Sequence, residues 1–273
     1  MSFLRFMKRV GGRFFVERFF DQAAQTAYYL LLSMIPFFIF MLSLISFFPI
    51  EERDILGVIE PYAPGNTYEL IHRNVELVLS GGNALASISF FSTFWVSSMA
   101  VQSLVRSLNE AYRIERTLSF FQGVFRDLGV TLIFMFLVPL SLLIPIGEQV
   151  LRLILSADGA GAEPAPFLPI WTVVRWGLGT LFLFGFFILF YKILPSGKQT
   201  VKFVLPGAIF TAVSWQAMSV LFSEYATAMN YARIYGQLAG IIVLTLWFYF
   251  SAVVILLGGL INNEWKRRNA LTD

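Results

Sequence analysis

The chain has 273 residues, of which 57% are hydrophobic and 14% are charged, and its formal net charge is +3. A soluble protein carries about 25% charged residues, so lipid is the expected solvent for this much apolar surface. The absence of cysteine excludes disulfides and thiolate chemistry, and the single histidine, His72, excludes zinc sites built from several His or Cys ligands. We therefore expect no bound metal and no cofactor.

The first predicted element is residues 1–20, in which basic and aromatic positions alternate. Its apolar positions recur at roughly helical spacing: Phe3, Phe6, Val10, Phe14 and Phe15. Gly11-Gly12 interrupts this pattern. The segment is predicted to form an amphipathic helix that lies on the inner membrane face against anionic headgroups. The alternative is the ordinary basic flank of a first spanning helix.

Six stretches without Asp, Glu, Lys or Arg follow, each about as long as a bilayer is thick. A helix needs roughly 20 apolar residues to cross the hydrocarbon, where it satisfies its own backbone hydrogen bonds. The sequence therefore predicts an all-α polytopic membrane protein, with one six-helix membrane domain over 21–265 and a tail over 266–273. The predicted transmembrane helices are residues 24–48, 84–107, 128–150, 171–193, 203–224 and 237–262.

The distribution of basic residues predicts the orientation of these helices. The N-terminal segment, the connections between helices 2 and 3 and between helices 4 and 5, and the C-terminal segment together hold 15 Lys and Arg, whereas the opposite connections hold four. Because cytoplasmic segments carry this excess, both termini are predicted to be cytoplasmic, which requires an even number of spans. Residues 49–83 then form a helical outer loop between helices 1 and 2.

Two polar stripes mark candidate substrate-binding positions. The first predicted span carries four polar residues at four-residue spacing: Asp21, Gln25, Tyr29 and Ser33. The cytoplasmic end of the second carries another set: Gln102, Arg106, Asn109 and Arg113. Residues at this spacing share one broad helix face. The first stripe fits a water-filled cavity or a polar helix–helix seam, and the second fits a funnel for an anionic headgroup or a solvated helix stabilised by pairs with Glu110.

Further candidates lie between helices 5 and 6 and at Pro and Gly positions. An outer segment dense in hydrogen-bonding aromatics predicts the rim of an outward-facing opening: Glu224, Asn230, Tyr231, Arg233 and Tyr235. Tyr is also common at membrane interfaces without any function. Candidate conformational positions are Pro36, Pro139, Pro145, Pro206, Gly207, Gly236 and Gly240. Gly236 and Gly240, together with Gly177, Gly179 and Gly185, predict close helix packing. The prolines are candidates for a mobile helix of a transporter, and Pro206-Gly207 also fits the start of a helix.

Several segments follow a recognisable pattern in a fixed order. Residues 27–36 (AYYLLLSMIP), 108–112 (LNEAY), 206–207 (PG) with a later Trp, 230–240 (NYARIYGQLAG) and 256–262 (LLGGLIN) carry it. In this order they resemble the YihY / virulence factor BrkB family. The resemblance implies a bacterial inner-membrane protein with six helices and both ends in the cytoplasm, and it suggests a role in the envelope or in transport of lipids or small molecules.

The sequence favours a transporter or lipid translocase for an amphipathic anionic substrate. The predicted midplane is free of charge, whereas cations collect at the cytoplasmic end near anionic lipid headgroups, the expected partners. Headgroup contacts are expected at Arg106, Arg113, Gln25 and Tyr29. The alternative is a non-catalytic scaffold in envelope biogenesis that acts through its outer loop.

An enzyme is the least favoured class. Members of the resembled family have carried the label ribonuclease BN, but metal nucleases need clustered carboxylates or His, and other ribonucleases usually need His as a general acid. The sequence contains no GxSxG, no HExxH and no paired midplane Asp. We expect no nucleic-acid partner, and the sequence leaves open whether the chain forms a homo-oligomer.

Overall fold

The computed structural model describes residues 3–45, 82–115, 119–141, 168–228 and 239–270. Within these ranges every regular element is an α-helix, which confirms the all-α part of the predicted fold class. The helices are α1 (Phe3–Val16), α2 (Phe19–Ile45), α3 (Gly82–Tyr112), α4 (Phe120–Ser141), α5 (Leu168–Ile193), α6 (Val201–Ala228) and α7 (Ala239–Asn269). Each of the six predicted spans overlaps one of the helices α2 to α7.

Three of these helices contain segments long and apolar enough to cross a membrane: Ser87–Tyr112, Val201–Phe222 and Ala239–Asn269. A fourth, shorter apolar segment covers Gly179–Ile193 in α5. Large apolar side chains such as Phe91, Trp95 and Leu181 are exposed. Such a surface suits contact with lipid, because water would not favour so many exposed apolar groups.

Two helix limits differ from the sequence-based expectation. The helix predicted over residues 1–20 ends at Val16, and it continues through Gly11 and Gly12 without a break. The last helix extends beyond its predicted end and includes Lys266, Arg267 and Arg268 in its final turn. Cations at this end are favourable because the C-terminus of a helix carries partial negative charge.

Two helix ends turn on an arginine with a left-handed backbone, Arg18 (φ 56°) and Arg113 (φ 55°). After α3, the N–H of Ile114 donates to the Asn109 carbonyl at 2.8 Å and the N–H of Arg113 donates to the Glu110 carbonyl at 3.0 Å. These are the two bonds of a Schellman motif, which satisfies carbonyls that a helix end leaves free. The chain therefore leaves α3 in a sharp turn at Arg113.

The chain divides into two compact units. The larger contains Met1–Ala27 and Val101–Asp273, and all seven described helices contribute to its buried core, which includes Val10, Phe19, Leu108 and Leu256. In this unit α6 packs most extensively on α7, α5 packs on α6, and α1 packs on α7.

The smaller unit contains Tyr28–Ala100. Its described part includes an aromatic cluster in which the ring of Phe90 lies 5.3 Å from that of Phe40 and stacks on Phe94 at 6.3 Å. Thr93 is fully buried in α3, and its hydroxyl has no hydrogen-bond partner among the described residues.

Candidate functional site

The predicted stripe on α2 does not share one environment. Asp21 and Gln25 are exposed, Tyr29 is half-buried, and Ser33 is buried with its hydroxyl donating to the Leu30 carbonyl at 2.8 Å. Asp21 pairs with Arg18 at 2.7 Å. Asp21 and Gln25 therefore lie on the surface of the described structure, whereas Ser33 is buried.

The polar contacts of α2 in the larger unit come from the neighbouring helix positions. The Gln22 amide donates to the Glu110 carboxylate at 2.8 Å, and the Thr26 and Ser103 hydroxyls lie 3.0 Å apart. Each of these four residues follows a predicted stripe position by one residue. A step of one residue corresponds to a rotation of about 100° around the helix. The pairs that were expected between Glu110 and its neighbouring arginines are replaced by this contact with Gln22.

The stripe on α3 divides in the same way. Gln102 is half-buried, and Arg106 is exposed without a hydrogen bond to any other described residue. Asn109 is buried and exchanges two hydrogen bonds with Ser196, at 2.8 and 2.7 Å. Of these four residues Arg113 lines the cleft described below, so the stripe contributes one residue to that site.

We call this feature the arginine cleft. It has a volume of about 430 Å³. It lies where α1, the end of α3 and the end of α7 meet, and its lining residues are Arg9, Gly12, Arg13, Val16, Glu17, Arg113, Glu264 and Arg267. Four arginines thus share the cleft with two glutamates, which leaves an excess of two positive charges.

Arg13 is the buried, fixed cation of the cleft. Its Nε and Nη2 donate to the two carboxylate oxygens of Glu17, each at 2.8 Å, in a bidentate pair. Nη2 also donates to the Ala111 carbonyl at 3.1 Å, and Nη1 donates to Glu264 at 3.5 Å. Because Glu264 is only 4% exposed, Arg13 ties the end of α7 to α1 through a largely desolvated pair.

The other two paired arginines are held more loosely. Arg113 lies 3.5 Å from Glu17 and is 58% exposed, and Arg267 lies 3.4 Å from Glu264 and is 51% exposed. Both carboxylates also accept hydrogen bonds from Arg13, so Arg113 and Arg267 each share an acceptor with it. Each guanidinium has five N–H donors, so both retain N–H groups that can donate to an anion.

Glu17 is held ionised by its neighbours. Its partial burial would raise its pKa, but the hydrogen bonds and positive charges of Arg13 and Arg113 outweigh this and lower the pKa below the ordinary value of 4.5. Glu17 lies in the two-residue connection between α1 and α2, so its carboxylate joins that connection to the end of α3.

Further contacts bring four chain segments together near the cleft. Arg13 joins the N-terminal helix to α3 and α7, and Asn109 joins α3 to the α5–α6 connection at Ser196. Arg126 on α4 donates to three consecutive carbonyls at the end of α5, at 2.6, 2.6 and 2.7 Å. These are the four segments that the sequence assigned to the same side of the membrane.

A second feature, which we call the polar seam, lies between α6 and α7. Asn262 is fully buried; its Oδ1 accepts from the Gly207 N–H at 2.6 Å, and its Nδ2 donates to the Tyr112 hydroxyl at 2.9 Å. Further along, the buried Tyr191 hydroxyl donates to the Ile255 carbonyl at 2.7 Å and lies 2.6 Å from the Thr211 hydroxyl.

The seam continues toward the other end of the helices. The Trp215 indole donates to the Ser251 hydroxyl at 3.2 Å, and Ser219 places a buried hydroxyl without a partner among the described residues. From Gly207 to Ser219 the α6 positions recur every fourth residue over about 18 Å of helix. All of these groups are neutral.

Glycine allows the helices of the seam to approach closely. A Cβ on Gly207 would meet the Gly258 carbonyl and, at 2.6 Å, the Asn262 side chain, and a Cβ on Gly258 would meet the Tyr191 and Thr211 hydroxyls. In contrast, a Cβ on Gly177, Gly179, Gly185 or Gly240 would have no described neighbour within 4 Å. Among the described residues, close packing therefore occurs at Gly207 and Gly258 and is not seen at these four positions.

The remaining predicted positions divide between described helices and residues outside them. Pro36 lies within α2, Pro139 within α4 and Pro206 within α6, and Glu224 is an exposed residue of α6. The rest lie outside the described residues: Pro145, Asn230, Tyr231, Arg233, Tyr235 and Gly236. Within the described ranges no three His, Asp or Glu side chains lie together as a metal site requires.

Sequence reasoning missed most of both features. The sequence identifies Arg9, Arg13 and Arg267 only as members of the basic terminal segments, and it gives no signal for Glu17 or Glu264. A signal for the seam was present: polar or small residues at 207, 211, 215 and 219 have four-residue spacing, and 251, 258 and 262 follow the same helical period. Tyr112, Gly207 and Asn262 come from three of the segments that resemble a known family, and the seam brings them together.

The comparisons with known proteins agree with that resemblance. A family model described as virulence factor BrkB matches residues 11–273. A protein of Bacillus subtilis (strain 168) named "Putative ribonuclease-like protein YfkH" is 37% identical, over 99% of this chain and 98% of its own. UPF0761 membrane proteins of Pseudoalteromonas atlantica and Actinobacillus pleuropneumoniae are 26% and 25% identical, over 86% and 91% of this chain and 77% and 89% of theirs. No solved structure matches. The chain therefore belongs to the virulence factor BrkB family and is a membrane protein.

Proposed function

We propose that this protein moves an anionic amphipathic molecule across the bacterial cytoplasmic membrane without catalysing a chemical reaction, and that the arginine cleft binds the anionic headgroup. The observation that carries the proposal is the charge of the cleft, in which four arginines face two carboxylates. Arginine suits this role because its planar fork of donors matches carboxylate and phosphate oxygens.

The proposal includes a topology of six spans with both termini in the cytoplasm, which places the cleft at the cytoplasmic end. The excess of Lys and Arg in four chain segments supports this orientation. The contacts of Arg13, Asn109 and Arg126 support it independently, because they hold the same four segments against one another. The four segments lie on the same side of the membrane if the chain crosses it an even number of times between each of them and the next.

The surroundings of the cleft suit an amphipathic ligand. Val16 lines the cleft and is 82% exposed, and Phe15 and Leu4 on the same helix are exposed as well. Together with the exposed basic residues of α1, they offer an interfacial surface for acyl chains and anionic headgroups. The polar seam lies deeper in the helices and contains hydroxyl and amide groups but no formal charge, which would be costly there.

The direct test is translocation in reconstituted vesicles. A fluorescent anionic lipid is placed in one leaflet, and its loss to the other is followed by chemical quenching of the accessible leaflet. The wild-type protein should accelerate the exchange relative to protein-free vesicles. The double substitution Arg113→Ala and Arg267→Ala should slow it about tenfold or more, because each arginine gives a charge-assisted hydrogen bond.

Two controls make this test specific. Arg268→Ala removes an exposed arginine next to Arg267 that does not line the cleft, so it should leave the rate unchanged. A deletion of residues 52–80 addresses the scaffold alternative, since translocation should survive it whereas a function of the outer loop should not. No acceleration by the folded wild-type protein would contradict the proposal.

A further inference from the structure

We infer that the ligand of the arginine cleft is a phosphate monoester, and that it binds by replacing the carboxylate of Glu17 on Arg13 and Arg113. This inference rests on the proposed function for the location of the site. It adds the chemical class of the ligand and a contact that inhibits its binding, and it depends on equilibrium binding rather than on movement across the membrane.

The first step is the geometry at Arg13. The guanidinium holds both oxygens of Glu17 at 2.8 Å, which is the forked arrangement that a phosphate also adopts with arginine. The Ala111 carbonyl and Glu264 bind the other side of the same guanidinium. Arg13 is therefore already oriented, and Glu17 occupies the place of a ligand oxyanion.

The second step is the freedom of Glu17 to leave. It lies between α1 and α2 rather than within either helix, and its side chain is partly exposed. When its carboxylate turns into solvent it regains its hydration, so the exchange leaves no buried charge without a partner. Arg113, which reaches Glu17 only at 3.5 Å, is released by the same movement.

The third step is the charge of the ligand. The cleft has an excess of two positive charges before any ligand binds. A phosphate monoester carries a charge of about −1.5 to −2 at neutral pH and offers three terminal oxygens. A phosphodiester carries a single negative charge and two such oxygens. Once Glu17 has turned into solvent, four arginines face Glu264 alone. A monoester compensates more of this positive charge than a diester does, and it offers one more terminal oxygen to the arginines.

Equilibrium binding to the full-length protein in phosphatidylcholine nanodiscs tests the ligand class. Methyl phosphate and dimethyl phosphate are titrated by calorimetry as a matched pair that differs in one ionisable oxygen. We expect methyl phosphate to bind about tenfold more tightly or better, since one charge–charge contact of roughly this size separates the two ligands. Equal affinity, or no binding of either ester, would overturn the inference.

The variants test the exchange. Glu17→Gln should bind methyl phosphate roughly threefold more tightly, because a competing charge is removed. Arg113→Ala should weaken binding about tenfold, and Arg268→Ala should not change it. The unfolding temperature of each variant without ligand shows that it is folded. A folded Glu17→Gln variant with unchanged or weaker binding would mean that Glu17 is only a structural partner of Arg13, which contradicts the exchange.

A lipid arm separates this inference from the proposed function. Phosphatidic acid carries the same monoester on acyl chains, and phosphatidylglycerol is its diester counterpart. Stronger stabilisation by phosphatidic acid than by phosphatidylglycerol at equal mole fraction supports the monoester on a lipid. If methyl phosphate is preferred but neither lipid stabilises the protein, the ligand class stands and the amphipathic substrate fails. If lipids are translocated without preference for the monoester, the function stands and this inference fails.

Discussion

The arginine cleft and the polar seam are both polar regions of a largely apolar protein, yet their hydrogen bonding is opposite. In the seam, Asn262 and Tyr191 are buried and neutral, and each makes two hydrogen bonds to groups on neighbouring helices, whereas the buried Ser219 hydroxyl has no partner among the described residues. In the cleft, Arg113 and Arg267 are exposed and share carboxylates that already bind Arg13. A region whose polar groups are satisfied internally stabilises helix packing, whereas one with unsatisfied charge is suited to bind a ligand.

The largest effect is expected from Gly258→Ala in the seam. The new Cβ would overlap the hydroxyls of Tyr191 and Thr211, so the helices must separate, at a cost of about 2–4 kcal/mol in the free energy of unfolding. Denaturant unfolding in detergent measures this cost. The matched control is Gly185→Ala, which meets no described atom and should be neutral or stabilise by up to about 1 kcal/mol. Equal effects of both substitutions would show that the seam is not closely packed.

The next effect is expected from Asn262→Leu, which should destabilise the protein by about 2 kcal/mol. The change removes the Asn262 oxygen that accepts from the Gly207 N–H, and it leaves the buried Tyr112 hydroxyl without its hydrogen bond to Asn262. Tyr112→Phe removes only one hydrogen bond and should cost about 1 kcal/mol. If the two residues act through their mutual bond, the double variant should cost less than the sum, and strict additivity would argue against the network.

In the cleft, Arg13→Met should cost about 2 kcal/mol, because the buried Glu264 then loses a cation and keeps only Arg267. Adding Glu264→Gln should recover part of this loss, and the unfolding free energies of the two variants give the comparison. If Arg13→Met has wild-type stability, Arg13 does not stabilise the fold and its role is limited to ligand binding. By contrast, Arg267→Ala should change stability by less than about 0.5 kcal/mol, since this pair is exposed.

The smallest effect is a dependence of stability on pH. Because the folded pKa of Glu17 is lower than the ordinary value of 4.5, its ionised form stabilises the folded state at pH above 4.5, and this contribution is lost as the pH falls through the folded pKa. The difference in unfolding temperature between wild type and Glu17→Gln should therefore be present at neutral pH and shrink in acid. A difference independent of pH would assign the effect to packing.

The relation between sequence and structure differs between the helices and the site. The existence of α2 to α7 follows from the apolar stretches, and the α-helical class was predictable because lipid requires each span to bond its own backbone. The stripes on α2 and α3 were less informative, since Asp21, Gln25 and Arg106 are exposed while Gln22 and Thr26 make the polar contacts. A shift of one residue rotates a helix by about 100°, and the sequence alone does not set that rotation.

Local composition is therefore sufficient to identify an all-α membrane protein. It also identifies the segments that carry the cations. The tertiary structure decided which cations act together, since Arg13, Arg113 and Arg267 come from three helices far apart in the chain. It also decided that Tyr112, Gly207 and Asn262 form a buried network. Such pairings depend on the packing and rotation of whole helices, which the spacing of residues within one helix does not specify.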